Sequence, residues 1–89
     1  MEDDDYSEFQ ISLAANPLVG DLIPGGDGLR KVRWREKGRG KRGGVRIIYY
    51  LIVKKDSILL LDIYSKNEKT DISKKELSLL VDIKRKEIG

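Results

Sequence analysis

Apolar and polar side chains alternate along this chain with two different periods, and together they predict a mixed helix and strand domain. Residues 4–15 place Tyr6, Phe9 and Leu13 at helical spacing, and Pro17 ends that pattern. Residues 29–35 alternate instead with a period of two, as in a strand. The basic face of this predicted strand would carry Lys31, Arg33 and Arg35.

A second apolar stretch predicts the centre of a sheet. Residues 46–54 are almost wholly apolar, which is typical of a strand covered on both faces. Residues 55–57 then predict a tight turn, and residues 58–64 predict the returning strand of a hairpin. Between the first helix and the first strand, the Pro and Gly residues of positions 16–28 predict a connecting loop.

The C-terminal segment has the signature of an amphipathic helix. Ser73 and Glu76 have capping-box spacing, and they precede Leu77, Leu80, Val81 and Lys84, with Ile88 one turn further on. Apart from Lys84, these positions form one narrow apolar stripe. The predicted order is therefore helix, three strands, helix. It indicates an α+β fold, an antiparallel sheet with flanking N-terminal and C-terminal helices, in one domain spanning residues 1–89.

Composition narrows the classes of protein that fit this pattern. The chain has no cysteine and no histidine, so it lacks disulfides, Cys-ligated metals and the commonest acid–base group at neutral pH. Its longest apolar runs are too short to cross a bilayer, and its acidic N-terminus differs from the basic start of a signal peptide. We therefore expect a cytoplasmic protein with no membrane partner.

Charge is distributed unevenly along the chain. Residues 1–28 hold seven acids and no Lys or Arg, whereas residues 29–89 hold all 18 basic residues and eight acids. Nine of the basic residues fall within residues 29–50, where Glu36 is the one acid. Cations held on a sheet suit recognition of phosphate geometry, so this stretch indicates RNA binding. The alternative is an ordinary surface with unevenly spread charge.

The glycines at positions 38–43 fit the GxGxxG pattern, but a nucleotide site is not expected there. A dinucleotide site needs a helix after the glycines, and here a strand is predicted to follow. The carboxylates that could hold a metal are scattered among lysines, which favours surface ion pairs. We therefore expect neither a cofactor nor a metal.

Several short segments, taken in order, resemble a known family. They are Asn16-Pro17, Gly20-Asp21, Ile23 and Gly25; Gly28-Leu29-Arg30-Lys31 and Arg33; Gly38, Gly40-Lys41, Gly43-Gly44, Arg46 and Ile48-Tyr49-Tyr50; and Tyr64 with Lys66-Asn67-Glu68. This set, spread over residues from about 8 to 82, is similar to the HigB-like branch of the RelE/ParE toxins of bacterial type II toxin–antitoxin systems. Family members normally carry a strand and a helical segment before the first matching residues, so the resemblance predicts a chain short at its N-terminus.

The resemblance implies a small curved antiparallel sheet with flanking helices and a ribosome-dependent mRNA endoribonuclease that needs no metal. In such a reaction preorganised cations stabilise the charged transition state, and a lysine among other cations loses its proton more readily. The implied catalytic residues are Arg46 for the transition state, Lys31 and Arg33 as base and phosphate clamp, and Lys66 as second cation or proton donor. Each has an alternative as an ordinary strand-end or turn charge.

Other basic residues are expected to bind the ribosome or messenger without taking part in chemistry. They are Arg30, Arg35, Lys37, Arg39, Lys41 and Arg42. Tyr49, Tyr50 and Tyr64 are interpreted mainly as sheet packing, with Tyr64 also a candidate for contact with a base.

The resemblance further implies a cognate antitoxin, of a helix-turn-helix, HigA-like kind, which neutralises the toxin. Operator DNA would be bound only through the toxin–antitoxin complex. Two other functions stay open from the sequence. One is a non-enzymatic, ParE-like toxin that binds gyrase, although the four candidate catalytic cations argue against it. The other is a truncated, inactive relative that binds only antitoxin and DNA.

Overall fold

Two helices and four antiparallel strands make up the fold in the computed structural model, which describes residues 3–34, 44–65, 68–69 and 71–88. The helices are α1 (Asp3–Ala15) and α2 (Lys74–Ile88). The strands are β1 (Asp21–Leu22), β2 (Arg30–Trp34), β3 (Val45–Ile52) and β4 (Ser57–Ser65), and they lie side by side in that order. The predicted α+β fold, an antiparallel sheet flanked by one helix from each end of the chain, is confirmed.

Strand β3 is central and is covered on both faces, as its apolar sequence predicts. Ile47 and Tyr49 pack on one face with Phe9 of α1. Ile48 packs on the other face with Leu80 of α2. Since neighbouring residues of a strand point to opposite faces, the two helices lie on opposite sides of the sheet.

A β-bulge determines which side chains of β4 face α2. Ile48 pairs with Asp62 and Tyr49 pairs with Leu60, so Leu61 is the extra residue. Leu60 packs on the α1 side, whereas Asp62 and Tyr64 lie on the α2 side because the bulge shifts the alternation by one. Without the bulge, Tyr64 would share a face with Leu60. Nothing in the residue pattern of β4 predicts this irregularity.

Two local predictions need correction. The loop predicted for residues 16–28 contains strand β1, which pairs Asp21 with Lys31 and Leu22 with Arg30. A two-residue strand is too short to show periodicity and exists only because β2 lies beside it. The central strand ends at Ile52, short of the predicted residue 54, because a 3₁₀ turn (Val53–Lys55) and Asp56, in the left-handed conformation at φ 49°, reverse the chain.

Tyr49 fastens the connecting loop to the sheet. Its buried hydroxyl donates a hydrogen bond to the Pro17 carbonyl at 2.7 Å and accepts one from the Gly20 N–H at 2.9 Å. A Cβ atom at Gly20 would lie 2.7 Å from this hydroxyl, so only glycine allows the approach. The loop that leads into β1 and β2 is therefore positioned from the core.

Helix α2 begins where the capping box predicts. The Ser73 hydroxyl accepts a hydrogen bond from the Glu76 N–H at 3.1 Å, and Glu76 Oε1 accepts one from the Ser73 N–H at 3.0 Å. One turn before its end, the buried Lys84 reaches Asp27 across the fold, donating to its carbonyl and its carboxylate at 2.7 Å each. The Lys84 ammonium also lies 4.5 Å from the centre of the Tyr50 ring. No helix within the described residues is both long enough and apolar enough to span a bilayer.

Candidate functional site

Three polar side chains form a row across the sheet on its α2 side. Arg46 of β3 pairs directly with Arg33 of β2 and with Tyr64 of β4. Directly paired residues on antiparallel strands project from the same face, so the three side chains are neighbours. Lys31 lies two residues before Arg33 on β2 and so shares this face. We call Lys31, Arg33, Arg46 and Tyr64 the cationic row.

The two arginines of the cationic row lie opposite each other on neighbouring strands. Neither Arg33 nor Arg46 forms an ion pair with an acid among the described residues. Like charges placed directly opposite on neighbouring strands destabilise a sheet, and arginine keeps its charge at every physiological pH. An unneutralised pair of this kind costs stability in the free protein and suits an anionic ligand.

Two polar atoms of the row are buried without a partner. Within the described part of the chain, neither Arg46 Nη1 nor the Tyr64 hydroxyl makes a hydrogen bond, although both are inaccessible to solvent. Burial raises the pKa of Tyr64, the nearby Asp71 carboxylate raises it further, and Arg46 opposes the change. Both atoms can donate a hydrogen bond, and an acceptor such as a phosphate oxygen would reach them once the side chains that cover them, Lys69 among them, had moved.

Lys31 is paired with an acid that is distant in sequence. Its ammonium lies 3.1 Å from Asp71 Oδ1, and the same carboxylate oxygen accepts a hydrogen bond from the Ile72 N–H at 2.8 Å. The backbone hydrogen bond from Ile72 is the largest cause that lowers the pKa of Asp71, followed by the hydrogen bond from Lys31. Lys31 is therefore engaged by an acid in this structure.

Lys69 belongs to the site, although the sequence analysis did not select it. Its ammonium lies 4.8 Å from the centre of the Tyr64 ring, is hydrogen-bonded to Glu76 and lies 3.8 Å from Asp62 Oδ2. The hydrogen bond to Glu76 is the main cause that raises the pKa of Lys69. The capping box was the one feature of the sequence that could have pointed to Lys69. One Glu76 carboxylate oxygen caps the helix, which leaves the other available to a nearby cation.

The structure brings together three of the four predicted catalytic residues, namely Lys31, Arg33 and Arg46. The fourth, Lys66, lies outside the described residues. So do five of the predicted binding residues, Arg35, Lys37, Arg39, Lys41 and Arg42. Their roles stay predictions.

Two predicted binding residues have structural contacts. Arg30 pairs with Tyr49, and its guanidinium donates to the Gly20 carbonyl at 2.7 Å and to the Leu18 carbonyl at 3.4 Å. It therefore helps to hold the loop before β1. Tyr64 is only 2% exposed and its ring is covered by Lys69, so stacking on a base is not open to it here. Its hydroxyl is the atom that matters for the site.

No protein-family model matches this chain. Among the described residues, no group of three or more acidic side chains is placed to hold a metal ion. The row itself offers positive charge and hydrogen-bond donors. Two guanidinium groups and a phenolic hydroxyl converge on one face, and a lysine stands beside them on β2.

Proposed function

We propose that this protein is a RelE/ParE-like toxin of the HigB kind, an endoribonuclease that cuts messenger RNA on the ribosome. The observation that carries the proposal is the facing pair Arg33 and Arg46, with Arg46 Nη1 and the Tyr64 hydroxyl buried and unpartnered among the described residues. An RNA phosphodiester offers the negative charge and the several acceptor oxygens that this arrangement lacks. Such a protein acts in the cytoplasm.

In the proposed reaction a ribose 2′-oxygen attacks the adjacent phosphorus. A bond forms between them as the phosphorus–O5′ bond breaks, which leaves a 2′,3′-cyclic phosphate and a 5′-hydroxyl. A base takes the proton of the 2′-hydroxyl, and an acid protonates the departing 5′-oxygen. Two negative charges develop on the phosphate oxygens between these steps, and cations held in advance stabilise them.

Arg46 is proposed to bind the transition state, because β3 lies between β2 and β4 and holds Arg46 between Arg33 and Tyr64. The exposed Arg33 would clamp the phosphate from the neighbouring strand. Lys31 is the proposed base, and it can act only once Asp71 has left it. Lys66 keeps the role that the resemblance implies, as a second cation or proton donor.

Cleavage of a defined messenger on programmed ribosomes tests the proposal. We expect Arg46→Ala to lower the cleavage rate by about 100-fold or more, since one transition-state donor contributes about that much. Arg33→Ala, at an exposed position, tests the same row with little risk to the fold. Lys55→Ala is the matched control, because Lys55 is an exposed cation in the turn between β3 and β4.

Equal cleavage by wild type, Arg46→Ala and Arg33→Ala would overturn catalysis by the row. Inhibition of gyrase supercoiling without RNA cleavage would indicate a ParE-like toxin instead. Binding of an antitoxin with neither activity would indicate an inactive relative.

The proposed partner is a helix-turn-helix antitoxin, which would neutralise the toxin by covering its basic face or by adding a strand to the sheet. The outer edge of β4 pairs with no strand among the described residues. Near its end, the N–H groups of Ile63 and Ser65 are bonded by the side chains of Asp62 and Glu68. An added strand would therefore pair with the first half of β4. The bulge shifts the alternation by one, so in the first half of β4 the N–H of Ile58 lies on the outer edge and that of Leu59 points towards β3. Proline substitution at Ile58 would weaken antitoxin binding in that case, and unchanged binding would favour the basic face.

A further inference from the structure

We propose that the Asp71 carboxylate is an internal substitute for the substrate phosphate, holding the Lys31 end of the cationic row until RNA displaces it. The inference rests on the proposed function, because it takes a phosphodiester as the ligand. It assigns Asp71 a role that neither the sequence pattern nor the resemblance suggests. Asp71 would set how strongly an anion must bind before Lys31 is released.

Asp71 differs from the other acids of this face in what it neutralises. Asp62 and Glu76 both interact with Lys69, the lysine that covers the Tyr64 ring. Asp71 instead pairs with Lys31, a member of the cationic row, at 3.1 Å. It is also close enough to Tyr64 to raise the pKa of the hydroxyl. A carboxylate therefore stands beside two of the four groups that a phosphate would contact.

The Lys31–Asp71 pair is of a kind that a ligand can replace. The Asp71 side chain is 61% exposed, and exposed ion pairs contribute little to stability. A phosphodiester carries a full charge and accepts hydrogen bonds on two free oxygens, and charged acceptors strengthen such bonds. It would thus recover the weak Lys31 contact and add contacts that the carboxylate does not make.

Two hydrogen-bond donors of the row are not satisfied by the Asp71 carboxylate. Arg46 Nη1 and the Tyr64 hydroxyl have no acceptor among the described residues, although Asp71 is nearby. The backbone fixes Asp71 at its own end, because Ile72 N–H donates to the same Oδ1 atom that Lys31 contacts. The carboxylate therefore hydrogen-bonds to Lys31, and its approach to the Tyr64 hydroxyl is the last of the causes that lower the pKa of Asp71. An anion free of the backbone could contact Lys31 together with the exposed Arg33.

The test is a binding titration of the full chain with inorganic phosphate and with a short oligoribonucleotide whose 2′-hydroxyls are methylated, so that it cannot be cleaved. We expect Asp71→Asn to bind both ligands about two- to fivefold more tightly, the equivalent of releasing one exposed ion pair. Asparagine keeps an oxygen that can accept from the Ile72 N–H, so the local turn is preserved. Asp82→Asn is the matched control, because it makes the same charge change at an exposed site on α2.

A second measurement needs no variant. In wild-type protein the ¹³C signal of the Asp71 carboxyl should shift on saturation with either ligand, while that of Asp82 should not. Tighter binding by Asp71→Asn alone, with this shift, supports the inference. Equal tightening by both variants, or an Asp71 signal that does not move, overturns it.

These outcomes are separate from those of the cleavage assay. If wild-type protein cleaves messenger on ribosomes while the ¹³C signal of its Asp71 carboxyl does not shift with either ligand, that result supports the proposed function and contradicts the role of Asp71. If phosphate and the oligoribonucleotide displace Asp71 but the protein does not cleave messenger on ribosomes, the anion site is supported and the endoribonuclease activity is contradicted.

Discussion

Arg33 and Arg46 face each other across neighbouring antiparallel strands, and neither has an acidic partner among the described residues. A protein selected only for stability would place opposite charges or apolar side chains at such a pair. The arrangement therefore links the stability of the sheet to the proposed function. Removing one arginine should raise the stability of the sheet and lower the proposed cleavage activity.

We expect Arg33→Gln to raise the free energy of unfolding by about 0.2–1 kcal/mol at low salt, because it relieves cross-strand repulsion. The gain should shrink as salt screens the repulsion. Urea unfolding at low and high ionic strength measures both effects. Lys55→Gln, which removes an exposed cation from the turn after β3, should show no such salt-dependent gain. A destabilised Arg33→Gln would contradict the repulsion.

The capping box of α2 gives a prediction about stability alone. Ser73→Ala removes the acceptor for the Glu76 N–H and should cost about 1 kcal/mol in urea unfolding. Ser78→Ala is the control, since Ser78 is exposed within the same helix and alanine is the better helix former. Equal losses for the two variants would show that the cap contributes nothing specific.

Tyr49→Phe should destabilise the protein by about 1–3 kcal/mol, because it leaves the Gly20 N–H and the Pro17 carbonyl without their shared partner in a buried site. Thermal or urea unfolding would measure the loss. Tyr6→Phe removes the same hydroxyl from an exposed ring of α1 and should change stability little. If the two variants unfold alike, the loop is held by other contacts.

Acid should destabilise the site through Glu76. The hydrogen bond from Lys69 is the first cause that lowers the pKa of Glu76 to about 2, from a usual value of 4.5. A lowered folded-state pKa means that the stabilisation is complete above the usual value and is lost as pH falls from 4.5 towards 2. Asp27 and Asp71, whose pKa values are also lowered, add to the same loss.

Urea midpoints measured over that pH range test the linkage. Glu76→Gln should flatten the decline because no proton is then taken up at this position on unfolding. Glu87→Gln, at an exposed position in the last turn of α2, should leave the slope as in wild type. A wild-type slope in Glu76→Gln would mean that other carboxylates carry the acid sensitivity.

Prediction from the sequence was accurate where the contacts are local. The start of α2 follows from Ser73 and Glu76, which are three residues apart, and the helix indeed begins at Lys74. The shared face of Lys31 and Arg33 follows from strand alternation and is confirmed by their pairing with Ile48 and Arg46. Both results rest on geometry within one element.

Prediction failed where a contact joins distant parts of the chain. Strand β1 is two residues long and has no periodicity of its own. Lys69 and Asp71 could not be connected with Tyr64 and Lys31 from sequence, since Asp71 lies 40 residues from Lys31. The bulge in β4 opposite Ile48 and Tyr49 has no signature in the sequence either, yet it places Tyr64 beside Arg46.

The sequence by itself determined both helices, the existence of strands β2, β3 and β4, the uneven charge and the basic face of β2, because each depends on residues a few positions apart. The tertiary structure decided that Arg33 lies opposite Arg46, that Tyr64 lies beside Arg46 and that Asp71 forms an ion pair with Lys31. The physical reason is strand register. A shift of one residue moves every side chain of a strand to the other face, and only the packing of both helices against the sheet selects between the alternatives.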